Sequence, residues 1–375
     1  MPNYNSYSEW IRGKFPFRVQ KISVDAGFSC PNRDGKVGRG GCCFCDNRSF
    51  NPAYCDREQS ITDQIEKGKQ FFSHKYPDMK YLAYFQAYSN TYADVDILCR
   101  KYEEALACDD VVGLIIGTRP DCINDEILDY LESLNRQTFL TVEYGIESTE
   151  DSTLLRINRG HDFGCSVHAI EETSKRGIVT GGHVIVGLPG ESADDIIAQA
   201  KKISATSLDI LKIHQLQVVR GTRLAEDYER KPFHVFSVDE YIRTISEYIR
   251  NLRPSIVIER FVSQSPKGML LAPDWGLKNY EFTDIFERIT FARETLFNPN
   301  QPFGLVVLRL VSTFCYMCLM ITEKSLSWMN LVMSVFGWHR IYFSVALTNL
   351  VSKAFSSKTL LQSHIIFPRC ISRSI

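Results

Sequence analysis

The stretch VVGLIIGTRPDCINDEILDYLESLNRQTFLTVEYGIES, residues 111–148, decides the fold. It opens on a short apolar run at 111–118. A helical pattern at 124–136 follows, led by the capping pair Asn124-Asp125, and a second short run fills 139–146. Strand, helix and strand in that order form a βαβ unit with parallel strands. The same rhythm extends both ways. Upstream, strands are predicted at 21–28 and 81–88; downstream, at 179–188 and 209–219. Helices are predicted at 60–75, 94–107, 149–175, 191–204 and 238–251. Six consecutive units predict an α/β fold, a partial (βα)6 TIM-like barrel rather than a closed eight-fold one.

Alternation along the strands predicts a polar lumen. Thr141, Glu143, Gly145 and Glu147 share one face of the fourth strand, opposite Leu140, Val142, Tyr144 and Ile146. Tyr84, Gln86 and Tyr88 oppose Ala83, Phe85 and Ala87; His183 opposes Val184; Lys212 and His214 oppose Leu211 and Ile213. Helices cover the outside of such a sheet, so the polar faces are expected to point inward.

The chain is thereby divided into a lead-in (1–20), the barrel (21–251), a closing segment (252–284) and a tail (285–375). In the tail the strand–helix rhythm is lost. It is apolar over 305–321 and 326–350, and residues 291–375 carry eight Lys/Arg against two Asp/Glu, where residues 1–290 carry 35 against 42. Charges inside both apolar runs argue against membrane spans. A polar N-terminus without a signal pattern predicts a cytoplasmic protein. The acidic body has no general grip on nucleic acid, so such a partner needs a local basic patch.

Twelve cysteines are many for a reducing compartment and point to metal or redox chemistry. Five lie between Cys30 and Cys55. In VDAGFSCPNRDGKVGRGGCCFCDNRSF, Cys30, Cys42 and Cys45 follow the first strand, on the face where βα barrels place their active sites. Three thiolates hold three irons of a cubane cluster and leave the fourth iron open to a small molecule. Gly35, Gly38, Gly40 and Gly41 let the loop turn tightly. Cys43 is expected to point away, and Phe44 to pack against a bound adenine. The alternative is a zinc site closed by Cys55, although only one paired-Cys knuckle is present.

These motifs, with YFQAYSNTY, GTRPDC, VEYGIES, INRGH, VIVGLPGE, KIHQLQVVRGT and APDW, resemble the radical S-adenosylmethionine superfamily over residues 1 to about 280. The likeness is to an uncharacterised bacterial branch related to the Elongator catalytic subunit and the oxygen-independent coproporphyrinogen oxidases. The eleven-residue gap after Cys30 is longer than the usual superfamily spacing, and the tail is unlike the family.

The resemblance implies a [4Fe–4S] cluster on Cys30, Cys42 and Cys45, S-adenosylmethionine on its open iron, reductive cleavage, and a 5′-deoxyadenosyl radical that takes a substrate hydrogen. It also implies cofactor contacts. Gln86, Asn90 and Thr91 stand where relatives bind the methionine amino group, Glu143 or Glu147 would hold the ribose, Arg159 the carboxylate, and Gly187 to Gly190 the adenine. His183 and His214 are candidate proton donors to substrate. The basic stretch Arg12, Lys14, Arg18, Lys21, Arg33, Lys36 and Arg39 is expected to hold tRNA phosphates or an acidic donor such as flavodoxin or ferredoxin. A porphyrin or other small-molecule substrate, and a non-catalytic zinc-binding adaptor, are the other readings. The sequence does not speak to oligomeric state.

Overall fold

The computed structural model describes residues 4–297 apart from 50, 74–77 and 267. Two units divide the chain, Met1–Phe291 and Ala292–Ile375, and the barrel belongs to the first. Both apolar runs of the tail lie outside the described residues. Among the described residues no helix is long and apolar enough to cross a membrane.

The strands are β1 (Asn5–Ser6), β2 (Val19–Val24), β3 (Lys80–Phe85), β4 (Val111–Thr118), β5 (Phe139–Glu147), β6 (Val179–Val186), β7 (Ile210–Gln215), β8 (Val218–Val219), β9 (Val257–Arg260) and β10 (Leu270–Ala272). The helices are α1 (Tyr7–Arg12), α2 (Pro31–Asp34), α3 (Ile61–Phe72), α4 (Val95–Leu106), α5 (Asp125–Asn135), α6 (Asp151–Arg156), α7 (Phe163–Lys175), α8 (Ala193–Ser204), α9 (Arg223–Arg230), α10 (Val238–Arg250) and α11 (Asn279–Phe297).

Eight strands form one sheet in the order β1-β9-β7-β6-β5-β4-β3-β2, with every neighbour parallel. All six predicted strands form, side by side in sequence order. The sheet curls strongly enough that Lys21 on β2 meets Glu259 on β9 at 2.7 Å, although β3 to β7 lie between them in the sheet. This is the predicted partial barrel, extended by β9 and β1.

Three boundaries differ from expectation. The sixth predicted strand breaks after Gln215, and β8 leaves to pair antiparallel with β10. The helix expected over 149–175 is two, because Asn158 and Gly160 take left-handed φ of 56° and 82° and interrupt it. Helix α11 continues across residue 285, and its Phe282 and Phe286 are both buried in the main core. The apolar closure of the barrel therefore reaches past the predicted start of the tail.

The main core lies between the sheet and its helices. Ala83, Phe85, Val142, Tyr144, Val184 and Ile213 face outward into it and meet the apolar faces of α3, α4, α5, α7, α8 and α10. A Leu or Ile fully buried this way contributes about 1.5–3 kcal/mol. The opposite faces line the lumen, as the alternation requires. At its lower end Leu82, Tyr84 and Ile115 pack with Ile11 of α1, and with Tyr7, Trp10 and Phe15. The lead-in is thus a plug. Above it the lumen is charged: Lys212 Nζ lies 2.6 Å from Glu143 and 3.2 Å from Glu259, and Lys21 pairs with both carboxylates.

An open sheet leaves β2 as an edge. Side chains from the loop before α3 and from α3 itself cover it. Ser23 N–H donates to Tyr54 Oη at 3.3 Å, Cys55 Sγ donates to Ser23 O at 2.9 Å, and the Gln64 amide both accepts from Asp25 N and donates to Asp25 O at 2.9 Å. These bonds satisfy backbone groups that a ninth strand would otherwise pair.

Candidate active site

The cysteine loop leaves β2 at the carboxyl end of the sheet and turns at α2. Pro31 opens that turn, whose missing N–H costs nothing there. Asn32, 1 % exposed, ties the loop down: its Nδ2 donates to Asn158 O at 2.5 Å and lies 3.7 Å from Cys42 Sγ. Asn158 Nδ2 returns a bond to Gly41 O at 2.8 Å. The break between α6 and α7 is therefore what the loop docks against. Gly160 is required there, because a Cβ would sit 2.9 Å from Val37.

Cys30, Cys42 and Cys45 are electrostatic neighbours. Burial pushes the Cys45 thiol up to about 11, and Cys42 and then Cys30 add to the shift while Arg33 opposes it. Three guanidinium groups accompany them. Arg33 Nη2 donates to Cys45 O at 2.6 Å; Arg159 Nη1 lies 3.5 Å from Cys42 Sγ; the Arg119 charge interacts with Cys30. Two of their donors, Arg159 Nε and Arg119 Nη1, are buried without a hydrogen-bond partner. Among the described residues the thiols are neighbours rather than a closed ligand set. Three thiols of one loop, ringed by cations and unpartnered donors, fit an anionic, thiolate-ligated group.

The two remaining cysteines of the segment point elsewhere. Cys43, with Phe44, packs against an apolar cluster that includes Leu154, Ile157, Ile185 and Leu216. Cys55 is bonded to the β2 edge, and burial followed by Asp25 pushes its thiol up to about 12.

The predicted cofactor contacts fall into two groups. Glu147 ends β5 with a left-handed φ of 68°, and its carboxylate lies 3.7 Å from Arg159. Gly145 leaves the room they occupy, since a Cβ would stand 2.5 Å from Arg159 Nη2. Gln86 is half-buried, its Oε1 3.4 Å from Ser23 Oγ. These line the same rim as the cysteines.

The other group is engaged by the protein. Asn90 Nδ2 bonds Phe85 O and Gly117 O, and Thr91 Oγ1 bonds Thr118 Oγ1 at 2.6 Å, so both are buried clamps between β3 and β4. Glu143, 1 % exposed, is spent on Lys212, Lys21 and His183 below the rim. Burial alone would raise its pKa, but Lys212, then Lys21 and His183, hold it well below the carboxylate range. Gly187 and Gly190 have φ of 97° and 93°, and the space of a Cβ is filled by Phe236 and Arg156 rather than left open. His183 Nε2 contacts Glu143 at 3.0 Å and its ring stacks on His214 at 5.5 Å.

The basic stretch is divided. Arg12, Lys14 and Arg18 precede β2, whereas Arg33, Lys36 and Arg39 follow it, so a strand of about 20 Å separates the two sets. Lys21 faces the lumen. What remains at the rim is Lys36, Arg39 and, from the next loop, the exposed Arg57. Arg57 lies over the Tyr88 ring at 6.0 Å, and both line a hollow of about 250 Å³ with Phe28, Ser29, Arg33 and Asp34, next to Cys30.

Sequence reading missed Arg119, Asn32 and Asn158, which carry no metal-ligand or acid–base signature and act only through the folded turn. Arg119 is also locked by Asp121 at 2.7 Å.

The comparisons agree with this geometry. The family model for the radical SAM superfamily matches residues 34–203, and that for the Radical_SAM C-terminal domain matches 208–290. The chain is 37% identical over 278 residues to the uncharacterised protein YtqA of Bacillus subtilis (strain 168), covering 74% of this chain and 86% of that one. Similarity to the tRNA uridine(34) acetyltransferase of Methanocaldococcus infernus is confined to 149 residues at 28% identity, 39% of this chain and 27% of the relative. The archaeal Methanocaldococcus infernus Elp3 with an N-terminal deletion has a similar fold: TM-score 0.54 at 17% identity, over 74% of this chain and 66% of that one. Members of the matched superfamily use a [4Fe–4S] cluster and S-adenosylmethionine. The chain belongs to the radical SAM superfamily and is a radical S-adenosylmethionine enzyme.

Proposed function

We propose that the chain holds its [4Fe–4S] cluster on Cys30, Cys42 and Cys45 and acts on tRNA. When bound, the cluster would supply the electron for reductive cleavage of S-adenosylmethionine, the source of the radical chemistry expected of the family. The protein's own part is positional. Arg33, Arg119 and Arg159 offset the negative charge of the thiolates, and Glu147 with Gln86 offers acceptors at the rim. Helix α1 seals the lumen from below and keeps water from the reacting face.

The hollow beside Cys30 carries the tRNA reading. Tyr88 offers an aromatic face and Arg57 a charge in the same place, with the exposed Lys36 and Arg39 on the adjoining cysteine loop, the pairing that single-stranded RNA uses for stacking and phosphate contact. The partial likeness to a tRNA uridine(34) acetyltransferase supports it. The electron donor is of the flavodoxin or ferredoxin type, and the enzyme works in the cytoplasm.

Charge reversal of Lys36, Arg39 and Arg57 tests this. Each lost phosphate contact is expected to lower the log–log salt slope of tRNA binding by about 0.7–0.9, with cofactor cleavage by dithionite-reduced protein intact. Unchanged affinity and slope would show that tRNA does not use this hollow. Normal tRNA binding with activity lost only under a protein reductant would assign the cations to the electron donor.

A further inference from the structure

The charged layer of the lumen is not balanced. Lys21 and Lys212 are matched by Glu143 and Glu259. A third cation, Arg260, stands beside them, and none of the described residues forms an ion pair or hydrogen bond with it. The register explains how it comes to be there. Along β7 and β9, Leu211 pairs with Ile258 but Lys212 pairs with Arg260, so β9 carries a bulge at Glu259 and Arg260. A bulge sets two consecutive residues against one and re-aims a side chain that strict alternation would send outward. Glu259 meets Lys21 and Lys212, and the Arg260 charge acts on Glu259, Tyr84 and His214, all lumen groups.

Next to Arg260 stands an unused hydrogen-bonding group. His214 Nε2 is buried without a partner. Its ring stacks on His183, whose Nε2 is taken by Glu143. Burial, with Arg260 next and then His183 and Lys212, holds the His214 pKa well below its usual value, so the imidazole stays neutral and has an N–H to donate. A half-buried cation without a partner among the described residues and a buried, unsatisfied imidazole nitrogen are both groups that an incoming oxyanion satisfies.

We propose that Arg260 and His214, with His183 beside them, form a lumenal site for an oxyanion of the substrate, a carboxylate or a phosphate. The site deepens the proposed function, because it rests on the lumen receiving the substrate. Lys212 and Glu143 beneath it fix the floor, so an anion seated there is held above the plug. Recognition of a charged group there also selects against uncharged analogues, since those leave Arg260 unpaired.

The test is a titration of full-length, ¹³C-histidine-labelled protein with sodium acetate or inorganic phosphate, at ionic strength held constant with chloride. The expected result is a saturable shift of the His183 and His214 ring signals, with the other histidines unmoved. Saturation by acetate alone assigns a carboxylate, and by phosphate alone a phosphate; saturation by both supports a general oxyanion site. Arg260→Gln is expected to weaken binding at least about tenfold, the scale of one charge-assisted hydrogen bond, and Arg260→Lys to retain most of it. A wild-type protein that responds to neither anion, or an Arg260→Gln protein that responds as the wild type does, overturns the inference. Cluster assembly on the wild type is measured separately. Its failure sinks the ligand assignment and leaves the anion titration valid.

Discussion

At the scale of single residues, neighbours in sequence have unrelated tasks. Cys42, Cys43 and Cys45 lie within four positions, yet one faces Arg159, the next an apolar cluster, and the last the Arg33 side. Replacing Cys30, Cys42 or Cys45 with Ala should abolish formation of 5′-deoxyadenosine from S-adenosylmethionine, while Cys43→Ala and Cys55→Ala retain most of it; chromatography of the nucleoside product decides. Reconstituted wild type should carry about four irons per chain. Glu143 makes a different kind of prediction. It is wholly buried between two lysines, so Glu143→Gln leaves a cation uncompensated and should cost about 3–5 kcal/mol in denaturant unfolding at neutral pH. Its folded pKa is depressed, so its contribution is present above the unfolded value of about 4.3 and is lost as pH falls through the lower folded value. The gap between wild type and variant should therefore narrow in acid. An equal gap at pH 7 and at pH 3 would show that the ionised carboxylate is not what the fold uses. The sequence made Glu143 visible as an inward acid. It could not show that two lysines from strands 69 and more residues away would claim it.

At the scale of elements, the barrel was legible because each strand and helix declares its own period. Six strands and most helices appear where the pattern of apolar residues puts them. What escaped were pieces too short to have a period: β1 with two residues, β9 with four, and the six-residue α1. Tertiary contact alone holds these, and α1 does so through Ile11, Tyr7 and Trp10 beneath the lumen. The break between α6 and α7 also escaped, since Asn-Arg-Gly reads equally as helix surface until the cysteine loop is seen lying against it. Gly160 is the element's hinge pin. Gly160→Ala forces a Cβ into a left-handed residue and against Val37, and should cost more than about 1 kcal/mol while loosening the loop. Its iron content after reconstitution should fall even where the far-ultraviolet spectrum is unchanged. Full iron retention would mean that the loop does not depend on this contact.

At the scale of the molecule, two limits of the barrel matter. The apolar closure runs through Phe282 and Phe286 of α11. A chain ending at residue 297 keeps both, whereas one ending at 284 loses Phe286 and should be less stable than it by about 3–5 kcal/mol. Equal midpoints for the two would remove α11 from the core. Composition marked the tail by its change of charge, but a helix that packs on one side of that boundary leaves no compositional trace. The other limit is the edge at β2. A strand with free amides invites pairing with any extended segment that reaches it, including the same strand of another copy. Tyr54, Cys55 and Gln64 occupy those amides and carbonyls with groups that cannot themselves propagate a ladder. The triple variant Tyr54→Phe, Cys55→Ala, Gln64→Ala should scatter light in a concentration-dependent way while the wild type does not. Cys55 then has a task unrelated to iron: it helps keep the open side of the barrel from serving as a template for further strands.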